Sequence, residues 1–380
     1  MRLRRREFLA GGGALAAAAA LAPRARAAMP GLPDTMIWTT YDVGSTGYVE
    51  ASAIADAIGK AHGTRIRLQN SGTSIGRILP VLKERAGYGW LANELFFAAE
   101  GLYDFAVPDW GPQDLRVLLG RTNSFSIAAT KESGITKPAD LKGKRLAIAR
   151  ANSSVMIKTE PVLAFAGLDW KDVEIVEFPN YAATLNALIT GKADAAGAAP
   201  AAAKLYELES SPRGIAWVTL DPANKEGWAR AQKVVPFVSP FQESIGAGLS
   251  KDSTTWLMGY KYPMVTTQAS TDEKETYALT RAIVEGYPSY KDASPVMTRW
   301  EPSKASNAPM DAPFHDGAIR YLKEAKLWDA GSQAWQDGAV KRIGALRKGW
   351  KDFKDSSPPT EAAAFRDAWL GRRAAILKGL

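Results

Sequence analysis

The stretch TTYDVGSTGYVEASAIADAIG, residues 39–59, decides the fold because it joins a strand to a helix through a polar loop that contains glycine. The apolar run Met36 to Trp38 predicts the strand, and apolar residues at helical spacing predict a helix over Gly47 to Ala61. Backbone N–H groups at the start of such a helix lack intrahelical partners and attract anions. The loop therefore allows three alternatives: a nucleotide-phosphate site, a site for another anion, or only a tight turn.

The same order of strand, polar loop and helix recurs along the chain, which predicts an α/β fold with largely parallel sheets. Strand-like runs begin the segments RIRLQNS at 65–71 and YGWLANEL at 88–95, and two short strands are predicted within 115–130. The pattern starts again at 135–168, so we expect two similar α/β lobes in series. Residues 271–380 show mainly helical periodicity.

The N-terminal segment 1–27 has the pattern of an export signal. A basic start precedes an apolar stretch from Phe8 to Ala22 and a small-x-small cleavage pattern that ends at Ala27. The motif Arg5-Arg6-Glu7-Phe8-Leu9 resembles the twin-arginine signal, and a membrane-anchoring N-terminus is the alternative. We therefore expect a periplasmic protein whose signal peptide is cleaved near Ala27.

Export changes what the charge of the chain implies. Residues 1–27 carry six arginines and one glutamate, a formal charge of +5, so their removal lowers the net charge from +8 to +3. A nucleic-acid partner thereby loses its main support. The chain has no cysteine, which excludes disulfides and thiol chemistry, and no later apolar run is long enough to span a membrane.

Catalytic motifs are missing from the sequence. Its two histidines, His62 and His315, show no metal-binding spacing, and the nucleophile motif GxSxG does not occur. The loops GSTG at 44–47 and GTSIG at 72–76 lack the lysine of a phosphate-binding P-loop. The sequence therefore predicts no enzyme, no nucleotide site, no metal and no cofactor.

Three loops rich in Ser, Thr and Asn precede predicted helices, at 40–48, 69–76 and 149–156. Their hydroxyls and the helix-start N–H groups suit a small anion at the carboxyl ends of the strands, although each loop alone is also typical of a helix N-cap. Arg77 and Arg150 are the cations best placed to meet a carboxylate. The candidate ligand-binding residues are Tyr41, Ser45, Thr46, Tyr48, Ser71, Thr73, Ser74, Trp90, Asn93, Arg150, Asn152, Ser153, Ser154 and Tyr181.

In the order and spacing of its motifs the chain resembles the TAXI-type solute receptors of TRAP transporters. The loop 40–48 is similar to the T-G-G-T-x-G-x-Y-like loop that opens that family's mature chain, and 70–76 to its next Ser-rich loop. ALITGKADAAGAAPAAAKLYEL at 187–208 is similar to its helix–Gly-x-Ala-Asp-Ala–helix run. Most specific is PFHDGAIRYLKEAKLW at 313–328, and the resemblance extends over about 36–328.

This resemblance implies a two-lobed periplasmic-binding-protein fold (type II-like), with a doubly wound mixed sheet in each lobe and the ligand cleft at the hinge. Lobe 1 would comprise 28–124 plus 265–380, and lobe 2 would comprise 125–264. The implied function is capture of a small organic anion, such as a carboxylate, dicarboxylate or acidic amino acid. The implied partners are the membrane subunits of an ion-gradient-driven TRAP permease.

Departures from the family pattern leave other functions open. Asp42 stands in the first loop, where a carboxylate beside an anion site must point away, bind a cation or indicate a different ligand. The alternatives are a receptor of the same fold for an ABC importer or a sensor system, a periplasmic enzyme, and a secreted helical interaction protein.

Overall fold

Ten strands and twelve α-helices form the part of the chain that the computed structural model describes, residues 28–380; the predicted signal segment 1–27 lies outside these residues. The strands are β1 Thr35–Thr40, β2 Arg65–Asn70, β3 Tyr88–Leu91, β4 Leu115–Thr130, β5 Arg145–Ile148, β6 Glu174–Glu177, β7 Ala195–Ala198, β8 Ile215–Trp217, β9 Ser239–Glu243 and β10 Thr255–Gln268. The helices are α1 Thr46–His62, α2 Ser74–Leu82, α3 Glu94–Glu100, α4 Ser153–Phe165, α5 Tyr181–Ile189, α6 Ala203–Ser210, α7 Lys225–Val234, α8 Glu273–Tyr290, α9 Pro302–Ala305, α10 Asp316–Glu324, α11 Ala330–Asp355 and α12 Ala362–Lys378.

The strands follow the order β2-β1-β3-β10-β4-β7-β5-β6, with β8 paired to β4 and β9 to β10. In the first half of this order, β1 is parallel to β2 and β3, while β10 is antiparallel to β3 and β4. In the second half, β5 is parallel to β6 and β7, while β4 is antiparallel to β7 and β8. Both halves are therefore mixed sheets, as α/β folds with crossover helices commonly have.

Two long strands join the halves. β4 pairs with β10 over its first part, and from Ser126 onwards it pairs with β7 and β8. β10 pairs with β9 at its start and with β3 near its end. The chain thus crosses twice between two α/β lobes, and the predicted two-lobed fold is confirmed. We propose the predicted boundaries, 28–124 plus 265–380 and 125–264, as the division into lobes.

The segment 115–130 is one strand and not the two short strands that its sequence predicts. The polar residues in its middle are buried rather than placed in a turn, because each finds a partner: Arg121, Asn123, Ser124 and Ser126 bond to Glu50, Tyr260, Glu243 and the Val218 carbonyl, respectively. Buried polar groups are tolerated where they are hydrogen-bonded, so the strand continues through them.

The C-terminal helices α11 and α12 form a hairpin with a small apolar cluster of its own, which includes Phe353, Phe365 and Trp369. Glu100, at the end of α3, joins the hairpin to lobe 1 through ion pairs with Arg342 and Arg373. Within residues 28–380, the structure contains no helix with the length and apolar character needed to cross a bilayer.

Candidate functional site

The three polar loops predicted from the sequence meet between the lobes. Asn152 of the third loop donates from Nδ2 to the Gly72 carbonyl of the second loop at 3.2 Å. Ser74 Oγ donates to Asn152 Oδ1 at 3.3 Å and accepts from the Ser154 backbone N–H at 3.1 Å. These bonds cross from lobe 1 to lobe 2, so the structure shows the lobes in contact.

Each loop also caps the helix that follows it. Ser45 Oγ accepts from the Tyr48 N–H at 3.2 Å, and Thr73 Oγ1 accepts from the Gly76 N–H at 3.1 Å. Asn152 caps α4 in the same way through the N–H of residue 155. The ordinary cap is therefore part of the role of all three loops.

A small cavity lies among these helix starts and the two crossing strands. It leaves about 20 Å³ open to the centre of a water molecule, which is room for roughly one water. Its walls are Tyr41, Ser45, Thr46, Phe125, Val155, Lys158, Tyr181, Ala199, Tyr260 and Tyr262. Both lobes contribute, so separation of the lobes would open the cavity.

Five of the ten residues of the cavity wall are aromatic. The ring centroids of Tyr41 and Tyr262 lie 5.4 Å apart at a near-perpendicular angle, and Tyr181 lies 6.1 Å from Tyr41. Burial raises the pKa of Tyr181 to about 12 and raises that of Tyr41 further. The phenols are therefore neutral near pH 7, and the wall offers hydroxyl groups and ring faces but no negative charge.

Lys158 of α4 is the one cation in the cavity wall, and 1% of its surface is exposed. Its ammonium donates to Asn93 Oδ1 at 2.9 Å, and to Ser154 at the carbonyl and at Oγ, each at 2.7 Å. All three acceptors are uncharged, and Lys158 forms no ion pair within residues 28–380. Burial lowers its pKa to about 7, since removal from water disfavours a charge without a counter-ion.

Arg77 lies behind the cavity wall and already has a counter-ion. Its guanidinium stacks 3.3 Å from the centroid of Tyr41, and its Nε donates to Glu94 Oε1 at 2.9 Å. Arg77 and Glu94 are both fully buried. Its Nη2 donates to Ser74 Oγ at 3.3 Å, so this guanidinium orients the second loop.

Thr46 supplies a hydroxyl to the cavity. Its Oγ1 is buried and has no hydrogen-bond partner within residues 28–380. Thr46 is also the first residue of the 17-residue helix α1, whose first N–H groups have no intrahelical acceptor. A buried unpaired hydroxyl is costly, so this group is suited to a ligand atom.

Residues 39–325, more than half of the chain, match the profile of the NMT1-like family. The chain belongs to the NMT1-like family. A search of curated proteins found no match.

Solved structures similar to this NMT1-like protein include several transport receptors. A binding protein of an ABC phosphonate transporter from Pseudomonas aeruginosa shares 12% identity, with 90% of this chain and 97% of that chain covered and a TM-score of 0.45. A protein from Bordetella bronchiseptica RB50 shares 18% identity, with coverages of 78% and 90% and a TM-score of 0.45. The arginine-bound receptor AbpA of an amino acid ABC transporter from Streptococcus pneumoniae shares 12%, with coverages of 70% and 96% and a TM-score of 0.42.

The sequence-predicted residues of this NMT1-like protein fall into three groups. Four of them line the cavity: Tyr41, Ser45, Thr46 and Tyr181. Others lie where the loops meet: Ser71, Thr73, Ser74, Asn93, Asn152 and Ser154 are hydrogen-bonded there, whereas the buried Ser153 hydroxyl at the start of α4 has no partner within residues 28–380. Three lie outside the cavity wall: Tyr48, Trp90 and Arg150.

The surroundings of these three residues show why they lie outside the cavity wall. Trp90 packs between Trp38 and Trp300, with ring centroids at 5.6 and 5.1 Å, and belongs to the core of lobe 1. Arg150 is 60% exposed, and its Nε donates to Glu177 at 2.7 Å on the surface of lobe 2. Tyr48 is half-buried in the first turn of α1, beside the cavity.

Sequence reasoning missed six residues of the cavity wall: Phe125, Val155, Lys158, Ala199, Tyr260 and Tyr262. A signal existed for two of them, since Tyr260 and Tyr262 stand two positions apart in the strand-like segment YKYPMVTTQ at 260–268 and must share one face. Lys158 follows a run of polar and apolar residues in α4 that resembles a half-exposed helix.

Asp42, the unexpected carboxylate, points away from the cavity and across to lobe 2. Its Oδ2 accepts from the Ala182 N–H at 3.3 Å, in the first turn of α5. A Cβ at Gly72 would lie 2.5 Å from Asp42 Oδ2, so only glycine fits there. Asp42 therefore acts between the lobes. Within the described residues 28–380 no group of three His, Asp or Glu side chains is arranged to hold a metal ion.

Proposed function

We propose that this NMT1-like protein is a solute-binding receptor that closes its two lobes on a small organic anion and delivers it to a membrane importer. The observation that carries this proposal is the buried ammonium of Lys158, which has only neutral hydrogen-bond acceptors and faces the cavity. An anion in the cavity would supply a direct counter-charge. The three N–H donors of the ammonium are already used by Asn93 and Ser154, so the anion would act through its charge or replace one of these acceptors.

The cavity offers an anion contacts from both lobes. Thr46 Oγ1 and the first N–H groups of α1 approach from lobe 1, and Lys158 approaches from lobe 2. The cavity of this structure has room for about one water, so a bound acid requires the lobes to stand slightly further apart than here. A ligand that still bridges the two sides binds such a closed form better than the open form, and it therefore shifts the population towards closure. Only a closed receptor would then present the surface that the importer recognises.

A receptor explains the site better than an enzyme does. No histidine, ionised carboxylate or cysteine lies in the cavity wall, and its phenols are neutral near pH 7. Lys158 has the lowered pKa of a catalytic amine, but its three hydrogen bonds hold it in place and leave no base beside it. We expect the bound solute to be recovered unchanged.

The importer is either an ABC transporter or a TRAP permease. The motif order resembles TAXI-type TRAP receptors, whereas the family match is NMT1-like and two of the three structural neighbours described above are binding proteins of ABC transporters. The comparisons agree better with the ABC alternative, which we therefore take as the working partner. Solute uptake by cells that express the receptor with each importer class tests this choice: uptake should require ATP hydrolysis and persist when the ion gradient is collapsed.

Export to the periplasm remains part of the proposal. A receptor of this kind acts outside the cytoplasmic membrane, and the segment 1–27 has the twin-arginine pattern described above. Cell fractionation and N-terminal sequencing of the mature protein check it. We expect periplasmic protein that begins near Ala28, and replacement of Arg5 and Arg6 by Lys should retain the protein in the cytoplasm.

Titration calorimetry with four anions (pyruvate, benzoate, succinate and L-glutamate) tests the function. We expect at least one of them to bind at one per chain, and Lys158→Met should weaken that binding at least tenfold. Lys171→Met is the matched control, because it removes a lysine that is 80% exposed on the same lobe. Chemical turnover of any of these acids, or tight binding of a neutral solute with no anion bound, would contradict the proposal.

A further inference from the structure

A chain of three side chains runs from the cavity through the lobe interface. Lys158 of lobe 2 donates to Asn93 Oδ1 at 2.9 Å, and Asn93 Nδ2 donates to Asp311 Oδ2 at 2.7 Å. Asn93 precedes α3 but forms no side-chain cap to that helix. Its amide instead connects a buried amine in one lobe to a carboxyl group in the other, so the chain is complete only when the lobes are closed.

The charged groups around this chain leave its two ends without direct counter-ions. Glu94 faces Lys158 from α3 but is paired with Arg77, a cation that opposes the charge on Lys158. The cavity side presents only the neutral phenols and hydroxyls of its wall. Asp311 faces Lys261 of β10, whose ammonium donates to the Asn307 carbonyl at 3.1 Å. Glu94 also faces Asp311 and disfavours its charge. Lys158 and Asp311 attract each other through space, and the Asn93 amide links them by hydrogen bonds.

We propose that capture of the anion is coupled to proton uptake by the Lys158–Asn93–Asp311 chain, so that the receptor binds more tightly as pH falls through neutrality. This inference rests on the proposed anion-binding function. With two protons the chain carries a charge of +1, with one proton it is neutral overall, and with none it carries −1. An anion beside Lys158 favours the more protonated forms, and the protons come from solvent onto Lys158 Nζ and the Asp311 carboxyl group.

The pKa directions at both ends agree with this geometry. Burial lowers the pKa of Lys158 to about 7 and raises that of Asp311 to about 7, so both ends titrate in the same range. An anion in the cavity raises both values, because it stabilises the ammonium and disfavours a second negative charge. Proton uptake on binding then means that affinity decreases as pH rises through 7.

The test is titration of the full-length mature receptor with pyruvate, benzoate, succinate and L-glutamate at pH 6, 7 and 8. The carboxyl groups of pyruvate, benzoate and L-glutamate stay ionised throughout this range, so changes in their affinity report the protein. The second carboxyl group of succinate is partly protonated at pH 6, so succinate is compared only between pH 7 and 8. We expect the affinity of the bound anions to be about tenfold lower at pH 8 than at pH 6, as one group of pKa about 7 requires. Calorimetry at pH 7 in phosphate and in Tris should show proton uptake as a difference in the observed heat.

Two variants locate the protons. Asp311→Asn keeps an oxygen acceptor for Asn93 Nδ2 but cannot titrate, so the pH dependence should become shallower while binding persists. Lys158→Met should make the pH dependence of any binding that remains shallower, because only Asp311 then titrates, and Lys171→Met should behave as the wild type. An affinity that is equal at pH 6 and 8 without proton uptake would overturn the coupling and leave the receptor function intact. A slope unchanged in Asp311→Asn would equally overturn the proposed chain.

A different result of the same titrations would contradict the proposed anion-receptor function itself. If none of the four anions binds at any of the three pH values while a neutral solute does, the anion receptor is wrong and the coupling falls with it.

Discussion

Two buried cations of this molecule have opposite surroundings. Arg121, in the middle of β4, is fully buried and donates from both Nε and Nη2 to Glu50, which also accepts from Trp300 Nε1 at 2.5 Å. Lys158, in α4, is equally buried but has only neutral acceptors. The first charge has a hydrogen-bonded counter-ion, whereas the second has none, because Glu94 and Asp311 act on it only from a greater distance.

This difference distinguishes Arg121, which stabilises the fold, from Lys158, which we propose as a ligand contact. A buried ion pair costs desolvation energy that only good geometry and further hydrogen bonds offset, and the pair of Arg121 and Glu50 has both. A buried amine without a direct counter-ion has a cost that the hydrogen bonds around it offset only in part, and its place next to a cavity supports the proposed ligand site. The comparison therefore predicts opposite effects when each cation is removed.

The largest expected effect is the loss of Arg121. Arg121→Met leaves Glu50 buried with Trp300 as its only donor, and we expect the free energy of unfolding to fall by about 3–5 kcal/mol. Urea denaturation measures it. The double variant Arg121→Met with Glu50→Leu should recover much of the loss, because it removes the unpaired carboxylate. If the double variant is no more stable than Arg121→Met alone, the carboxylate is not the cause.

Removal of Lys158 should instead stabilise the empty protein. Lys158→Met removes the desolvation cost, so we expect the free energy of unfolding to rise by about 2 kcal/mol at pH 7. The native pKa of Lys158, about 7, lies below its ordinary value of 10.5. The gain should therefore be full below pH 7, decrease as pH rises and vanish near 10.5. A loss of stability at pH 7 would show that the amine serves the fold, as Arg121 does.

The sequence predicted the loop before α1 but not the single long strand β4. The loop before α1 and residues Ser45 and Thr46 followed from local patterns, because strand, cap and helix periodicity are properties of neighbouring residues. The continuity of β4 did not, since Arg121 in an apolar run resembles a break until Glu50, 71 positions away, is known to pair with it.

Lys158 was missed for the same reason. Its burial depends on Phe125 of β4 and Tyr260 of β10, which are distant from it in the sequence. Their ring centroids lie 5.3 and 4.8 Å from its ammonium, respectively. Arg150 directly follows a strand in one of the three loops and resembled a ligand contact, but its side chain turns outward to Glu177. Sequence position predicts which loop reaches the cleft, whereas side-chain direction depends on distant partners.

The two loop threonines allow a smaller test of the same distinction. Thr46 Oγ1 has no partner within the described residues, whereas Thr73 caps α2. We expect Thr46→Val to weaken anion binding by about 1 kcal/mol, about fivefold, without a loss of stability in the empty protein, because the valine removes a buried unpaired hydroxyl. Thr73→Val should lower the free energy of unfolding by about 1 kcal/mol with little change in affinity. Calorimetry measures the affinity of both variants, and urea denaturation measures their stability. If Thr73→Val weakens anion binding while Thr46→Val lowers stability, Thr46 is not part of the binding site.

The smallest expected effect concerns Asp42, which contacts α5 only when the lobes are closed. Its carboxylate faces the positive end of that helix, an interaction of about 0.5 kcal/mol. Asp42→Asn keeps an acceptor but loses the charge, so we expect the closed population to fall about twofold. The chain has no cysteine, so dyes on Lys60→Cys and Lys171→Cys, both exposed and on different lobes, report closure by energy transfer. Asp109→Asn removes an exposed charge from lobe 1 as the control, and an equal response of the two variants would mean that Asp42 acts only through net charge.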